Sequence, residues 1–430
     1  MKLTTFVAAL AGGCLATSAM AQSDALAQIA ELRAQLAAVQ AQAGNNTLTE
    51  ERANEIKSIV RDTLADADTR TSLQGGGAMA GYDNGFFMSS ADGNFKLKLG
   101  VLEQVRFVWE FSDAESMGFE NRRTQLAFGG NMFDPSWTYS VVFNYSPYST
   151  PYGEDEGEMN LADASVTKTM DGGLAITAGQ YRTPFTRATL VGDGKQLMAD
   201  YSPTDYNFSA GYMQGIMGSW SSDMFRAMFS IGNGVGSTNS QWSDDDTNAT
   251  NLNFSVRAEA KLAGSWSQFA KETSFRGEEF GLLVGVAWLD TDGNSDFNYG
   301  DDGNNNALTV DATAFFGGAN ISAAYTYANE NTNAGDDAYG LSVQGGLFVT
   351  DGIEVWGAWN YIDGNDADEA GNWIQVGGNV YFAKNGCKWT TQVNIPLNDD
   401  TNEEYYYGGA WGLSSPTGDT SVLTQLQFMF

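Results

Sequence analysis

From residue 95 onward, apolar and polar side chains trade places at almost every step. This period of two restricts what the chain can fold into more tightly than anything else in it. Phe95, Leu97, Leu99, Val101, Val105, Phe107, Trp109 and Phe111 hold odd positions, interrupted by Glu103, while Lys96, Lys98, Gln104, Arg106 and Glu110 hold even ones. Successive side chains of a strand point to opposite faces, so the segment has one greasy and one polar face. The pattern returns at Trp137-Tyr139-Val141-Phe143-Tyr145, Leu252 to Leu262, Phe280 to Trp288, Tyr339-Leu341-Val343 and Trp389-Thr391-Val393-Ile395. In all it predicts about sixteen strands.

The connections also alternate. Asp134-Pro135, Asp171-Gly172-Gly173, Gly317-Gly318, Asp351-Gly352 and Lys384-Asn385-Gly386 carry tight-turn chemistry. Between them lie longer acidic loops, among them 153–158, 243–248, 290–306, 329–337, 363–369 and 398–404. Short turns at one end and long loops at the other are the rhythm of an antiparallel transmembrane β-barrel. A secreted β-sandwich or β-helix would also alternate. Against those stand aromatic residues grouped at strand ends, a polar face carrying Lys, Arg and Gln, and a last strand, Val422-Thr424-Leu426-Phe428-Phe430, that ends on an aromatic. The expected fold class is therefore all-β, a barrel over 81–430. No stretch of the mature chain has the ~18 apolar residues of a spanning helix.

The first residues read differently. Met1-Lys2, the apolar run Leu3 to Leu10 and Ala19-Met20-Ala21 form a secretory signal peptide over 1–21. Cys14 lacks the large aliphatic residue that lipoprotein cleavage favours, and cleavage after Ala21 leaves one cysteine, Cys387, which cannot form an internal disulfide. Over 22–74, Ala25, Ile29, Leu32, Leu36, Val39 and Ala43 alternate steps of four and three, a coiled-coil seam or one amphipathic helix on the body. A second helix begins at a Thr49 cap and carries Ile56, Val60 and Leu64 on one face.

Charge and composition narrow the function. With 53 acidic against 22 basic residues the net charge is −31, which disfavours nucleic acid as a partner. The chain contains no histidine, so imidazole-based triads, dyads and zinc sites are absent. An enzyme is not expected, nor is a cofactor. The segment Asp290-Thr291-Asp292-Gly293-Asn294 offers hard oxygen ligands but lacks a complete calcium-loop spacing, so no metal site is assigned.

Four stretches then resemble the porin O/P family of phosphate-selective and related outer-membrane porins. They are Gly85-Phe86-Phe87 leading to Phe95 through Gly100, Arg122-Arg123 followed by Phe133-Asp134-Pro135, Gly179 through Phe185, and the closing Leu426 to Phe430. The resemblance implies a 16-stranded trimeric channel whose third loop folds inward, with Phe428 and Phe430 as the signal read by the barrel-assembly machinery. It implies pore arginines at Arg122 and Arg123, and a constriction-loop cation at Arg187. Arg106, Arg182 and Lys195 are basic neighbours that could join the lining. Strand phase places Arg123 toward the lumen and Arg122 toward lipid unless it lies at the rim. The family's first-strand arginine falls at Val101 or Leu102, and its arginine-rich outer loop falls in the acidic stretch 290–306. A mouth lined by Asp concentrates cations.

The expected function is passive diffusion of small hydrophilic solutes and ions across the outer membrane. An anion or phosphate channel is the first alternative. A structural tether, with the barrel in lipid and the leading helices on peptidoglycan, is the second.

Overall fold

The computed structural model describes residues 77–83, 85–111, 116–146, 158–233, 252–291, 304–331, 337–364, 370–398 and 420–430. The expected leader, the helices over 22–74 and most of the acidic loops lie outside these residues. The compact unit that contains the strands spans Ala78–Phe430.

Two short strands, β1 (Met79–Tyr82) and β2 (Phe86–Ser89), form a hairpin. Sixteen longer strands follow among the described residues. These are β3 (Lys96–Glu110), β4 (Ser116–Met132), β5 (Asp134–Ser146), β6 (Glu158–Thr169), β7 (Leu174–Arg182), β8 (Tyr212–Ser221), β9 (Phe225–Asn233) and β10 (Leu252–Ala263). The second half comprises β11 (Gly281–Thr291), β12 (Asn304–Phe315), β13 (Ala319–Asn331), β14 (Asp337–Phe348), β15 (Ile353–Asp363), β16 (Gly371–Tyr381), β17 (Cys387–Pro396) and β18 (Ser421–Met429). Each pairs antiparallel with its chain neighbour, and β18 closes the cylinder on β3 from Ser421 opposite Glu110 to Met429 opposite Leu102. Where β18 stops, the terminal Phe430 exchanges backbone hydrogen bonds with Val101 at 3.0 and 3.1 Å, and β2 then continues along the same edge. No strand edge of the long set is left open, which is what a lipid-embedded sheet requires.

The period of two becomes an inside and an outside. On β10, Asn253, Ser255, Arg257 and Glu259 are buried in the lumen, while Leu252, Val256 and Leu262 are exposed on the outer surface. On β18, Ser421, Gln425 and Gln427 face inward, while Phe428 and Phe430 lie on the outside, Phe430 edge-on to Phe86 at 5.7 Å. The tight links sit where turn chemistry places them. Gly172 takes the left-handed conformation between β6 and β7, and Lys384 takes it between β16 and β17.

Two connections do not stay at the rim. Residues 183–211, between β7 and β8, enter the lumen from the end that carries the long loops. Residues 264–280, between β10 and β11, enter from the opposite end, where the other links are short. The first contains two short helices, α1 (Arg187–Leu190), capped by Thr186, and α2 (Pro203–Phe208), capped by the Ser202 hydroxyl.

Candidate solute pathway and its constriction

Residues 183–211 fold inward because their apolar side chains find apolar wall inside an otherwise polar lumen. Phe185, Phe208 and Ala210 are buried against Ala287, Leu289, Ile362 and Trp373, and Leu197 with Met198 against Trp356 and Ala358. Room for α2 is made by Gly340 of β14: a Cβ there would stand 2.5 Å from the Phe208 ring and 2.7 Å from Thr204. The backbone of the loop is then tied to wall side chains. Lys388 donates to the Gln196 carbonyl at 2.7 Å, Gln427 to that of Gly194 at 2.8 Å, and Asn379 to that of Leu197 at 2.9 Å. Gln392 accepts from the Ala199 N–H at 3.0 Å, and Gln425 donates to the Ala199 carbonyl at the same distance. Such bonds satisfy backbone groups that water would otherwise have to reach.

The wall arginines converge on one loop carboxylate. Asp200 accepts from Arg122 at 2.6 Å, from Arg123 at 2.8 Å and from Arg106 at 3.4 Å, and Arg106 also pairs with Glu120. Tyr206 of α2 donates to Asp200 at 2.7 Å and accepts from Arg122 and Arg123. These charges hold the Asp200 carboxyl well below its ordinary value, although burial acts the other way. The position of Arg122 corrects the strand-phase expectation. Opposite β3 the register slips between Gln104, which faces Arg123, and Val105, which faces Asn121. One extra residue in β4 makes Arg122 a bulge and changes the phase, so both arginines are buried inside.

Arg182 and Lys195 serve the loop in different ways. Arg182 bonds the Asp193 carboxylate at 3.0 Å, the Tyr201 hydroxyl at 2.9 Å and the Thr189 carbonyl at 2.6 Å, closing the loop upon itself. Lys195 is half-buried, and its ammonium has no partner among the described residues.

Arg187, on α1, stands apart from the Asp200 group. It donates to the Thr313 hydroxyl at 2.9 Å and to the carbonyls of Phe269 and Lys271 at 3.0 and 3.2 Å, with no carboxylate in ion-pair range among the described residues. Beside it is an opening of ≈ 40 Å³, lined by Arg187, Asp205, Glu272, Thr309, Asp311 and Thr313. A water needs roughly 10–15 Å³ of such space, so the gap has room for a few waters. Asp311 is held by a two-pronged pair with Arg257 at 2.7 and 3.0 Å, and Arg257 also donates to the Phe185 carbonyl. Gly285 leaves the space that this pair fills.

Of the six basic residues singled out in the sequence, the structure thus gathers Arg106, Arg122 and Arg123 at one flank of the loop. It places Arg182 at the end of β7, bonded to the loop, Arg187 at the opening and Lys195 at a half-buried loop position. Asp205, Glu272 and Asp311 escaped sequence reading. The signal for Glu272 was a connection of 17 residues carrying Trp266, Phe269 and Phe275 where a short polar turn belonged. Among the described residues no cluster of potential metal ligands occurs.

Comparison with known proteins agrees with this architecture. Residues 95–280 match the family model described as "Phosphate-selective porin O and P". No curated protein matches the sequence. Among solved structures, Salmonella typhi OmpF in complex with daunomycin is similar at a TM-score of 0.55 and 14% identity, over 82% of this chain and 100% of that one. An anion-selective porin from Comamonas acidovorans is similar at 0.53 and 13%, over 78% and 99%. The trimer form of in-vitro folded OmpT from Vibrio cholerae follows at 0.51 and 12%, over 78% and 99%. The chain thus has the 16-stranded closed barrel fold of these outer-membrane proteins, and residues 95–280 match a porin family model.

Proposed function

We propose that this protein is an outer-membrane porin through which small hydrophilic solutes and ions diffuse passively. The observation that carries this reading is a wall apolar outside and polar inside, with a loop folded into the lumen beside an opening lined by hydroxyls and charges. The gap presents Arg187 against Asp205, Glu272 and Asp311, and Arg257 already neutralises Asp311. Cations are the favoured ions, because the arginines that would serve an anion ladder bind Asp200 and Asp193 instead.

The matching family model favours a second reading, an anion or phosphate channel, in which Arg187 and Lys195 supply the attraction. Single-channel reversal potentials in a salt gradient separate the two. A cation preference supports the first, and a clear anion preference overturns it. Finer parts of the reading are a cleaved leader over 1–21, assembly directed by Phe428 and Phe430, and a homotrimer. The trimer draws support from the fold likeness to a protein solved as one. A role of the leading helices on peptidoglycan would appear as lost envelope attachment, with conductance unchanged, after deletion of residues 23–71.

A further inference from the structure

Resting on the porin reading, the geometry points to residues 264–280 as a second constriction element. In it Glu272 is a selectivity-setting carboxylate, and the segment's backbone positions Arg187. The segment is a built part of the lumen. Phe269 stacks on Phe315 at 5.2 Å beside Leu283, and Phe275 packs with Phe348 and Tyr381, so an aromatic foot pins each end to the inner wall. Between these feet Thr273 and Ser274 are fully buried, Thr273 against the Tyr381 hydroxyl at 3.0 Å and Ser274 accepting from Gly317 N–H at 3.0 Å. Tyr381 in turn donates to Glu354, which also accepts from Asn320 and Asn379.

Four hydrogen bonds join this segment to the loop that enters from the other end. Arg187 donates to the carbonyls of Phe269 and Lys271. The Glu272 N–H donates to the Lys195 carbonyl at 3.1 Å, and the Leu197 N–H donates to the Glu272 carboxylate at 2.8 Å. Each intruding segment therefore satisfies polar groups of the other, and neither would hold its position in a water-filled lumen as well alone. The side chain of Glu272 does two things at once. One of its oxygens anchors Leu197, and its charge faces the same opening as Arg187 and Asp205. A permeating ion passes between a cation that the segment aims and an anion that it contributes.

The two roles separate in two variants of the full chain, refolded into detergent and inserted in planar bilayers. Glu272→Gln keeps an oxygen that can accept from Leu197 but removes the charge, so the cation-to-anion permeability ratio falls about fivefold, the worth of one charge at contact distance in water-like surroundings. Glu272→Ala removes charge and anchor together and adds open-channel current noise that Glu272→Gln lacks. Heat-resistant electrophoretic mobility reports that the barrel is folded in both. A conducting Glu272→Gln channel with wild-type selectivity overturns this inference alone, as does Glu272→Ala with no added noise. A folded wild-type chain that passes no current overturns the porin reading and this inference with it.

Discussion

The two flanks of the loop at 183–211 use arginine in opposite ways. On the Asp200 flank three guanidiniums are buried around one carboxylate, with a tyrosine hydroxyl among them. On the Arg187 flank one guanidinium is held by a hydroxyl and two carbonyls, and the described residues place no carboxylate in ion-pair range of it. Neutral partners orient a charge without cancelling it, whereas a buried counter-charge cancels its field. The first flank is a clamp, and the second leaves its guanidinium beside the opening. Counting lumen arginines alone would have assigned the same role to both.

The largest effect is expected from breaking the clamp. Asp200→Ala strands Arg106, Arg122 and Arg123 without their shared partner, and removing one member of a buried charge group costs about 3–5 kcal/mol. The urea midpoint of the barrel in lipid vesicles should fall, and single-channel conductance should rise as the loop leaves the wall. The uncovered guanidiniums should also move selectivity toward anions. Wild-type conductance in a folded Asp200→Ala protein would mean that the clamp does not hold the loop. Gly340→Ala tests the neighbouring contact, since the new Cβ meets the Phe208 ring and Thr204. Overpacking of this kind costs about 1–3 kcal/mol, read as an earlier heat-induced mobility shift, with the arginines untouched. On the other flank, Arg187→Gln should lower the unfolding midpoint less than Asp200→Ala does, since it removes hydrogen bonds to neutral partners rather than a buried counter-charge. It should also raise cation preference about fivefold. A large stability loss there would erase the contrast between the flanks.

The barrel was legible in the sequence because lipid imposes a binary rule, apolar out and polar in, that can be read residue by residue. The turns were legible for a similar reason, since left-handed backbone selects Gly and short polar residues. The lumen was harder. Arg122 was misplaced because a single inserted residue in β4 changes strand phase without leaving a mark in the local pattern. Asp200 looked like any loop aspartate, and its role exists only because residues 77 and 94 positions away in the chain meet it. Glu272 lay in a connection where short-turn rhythm suggested nothing of interest. Interior selectivity is a property of non-local contacts, and periodicity does not encode those.

The smallest expected effect is a dependence on pH, and it belongs to the Arg187 flank. Asp205 sits on α2 and lines the opening; burial pushes its carboxyl from the ordinary 3.8 up to about 7, against the Ser202 hydroxyl bond and aided by repulsion from Glu272 and Asp311. Above pH ~7 the group is charged and adds to the negative side of the opening; below it the group is neutral. Cation preference should therefore weaken as pH falls from about 8 to 6, by less than the Arg187 substitution produces, because half-buried Asp205 shares the gap with Glu272. Stability runs the other way: a raised carboxyl favours the folded state fully below its unfolded pKa, and that contribution is lost as pH rises through about 7. Asp205→Asn should flatten the selectivity profile while leaving the Asp200 clamp intact. A wild-type channel whose reversal potential is constant across this range, or an Asp205→Asn channel that keeps the slope, would assign the titration elsewhere and leave Arg187 facing a permanently charged wall.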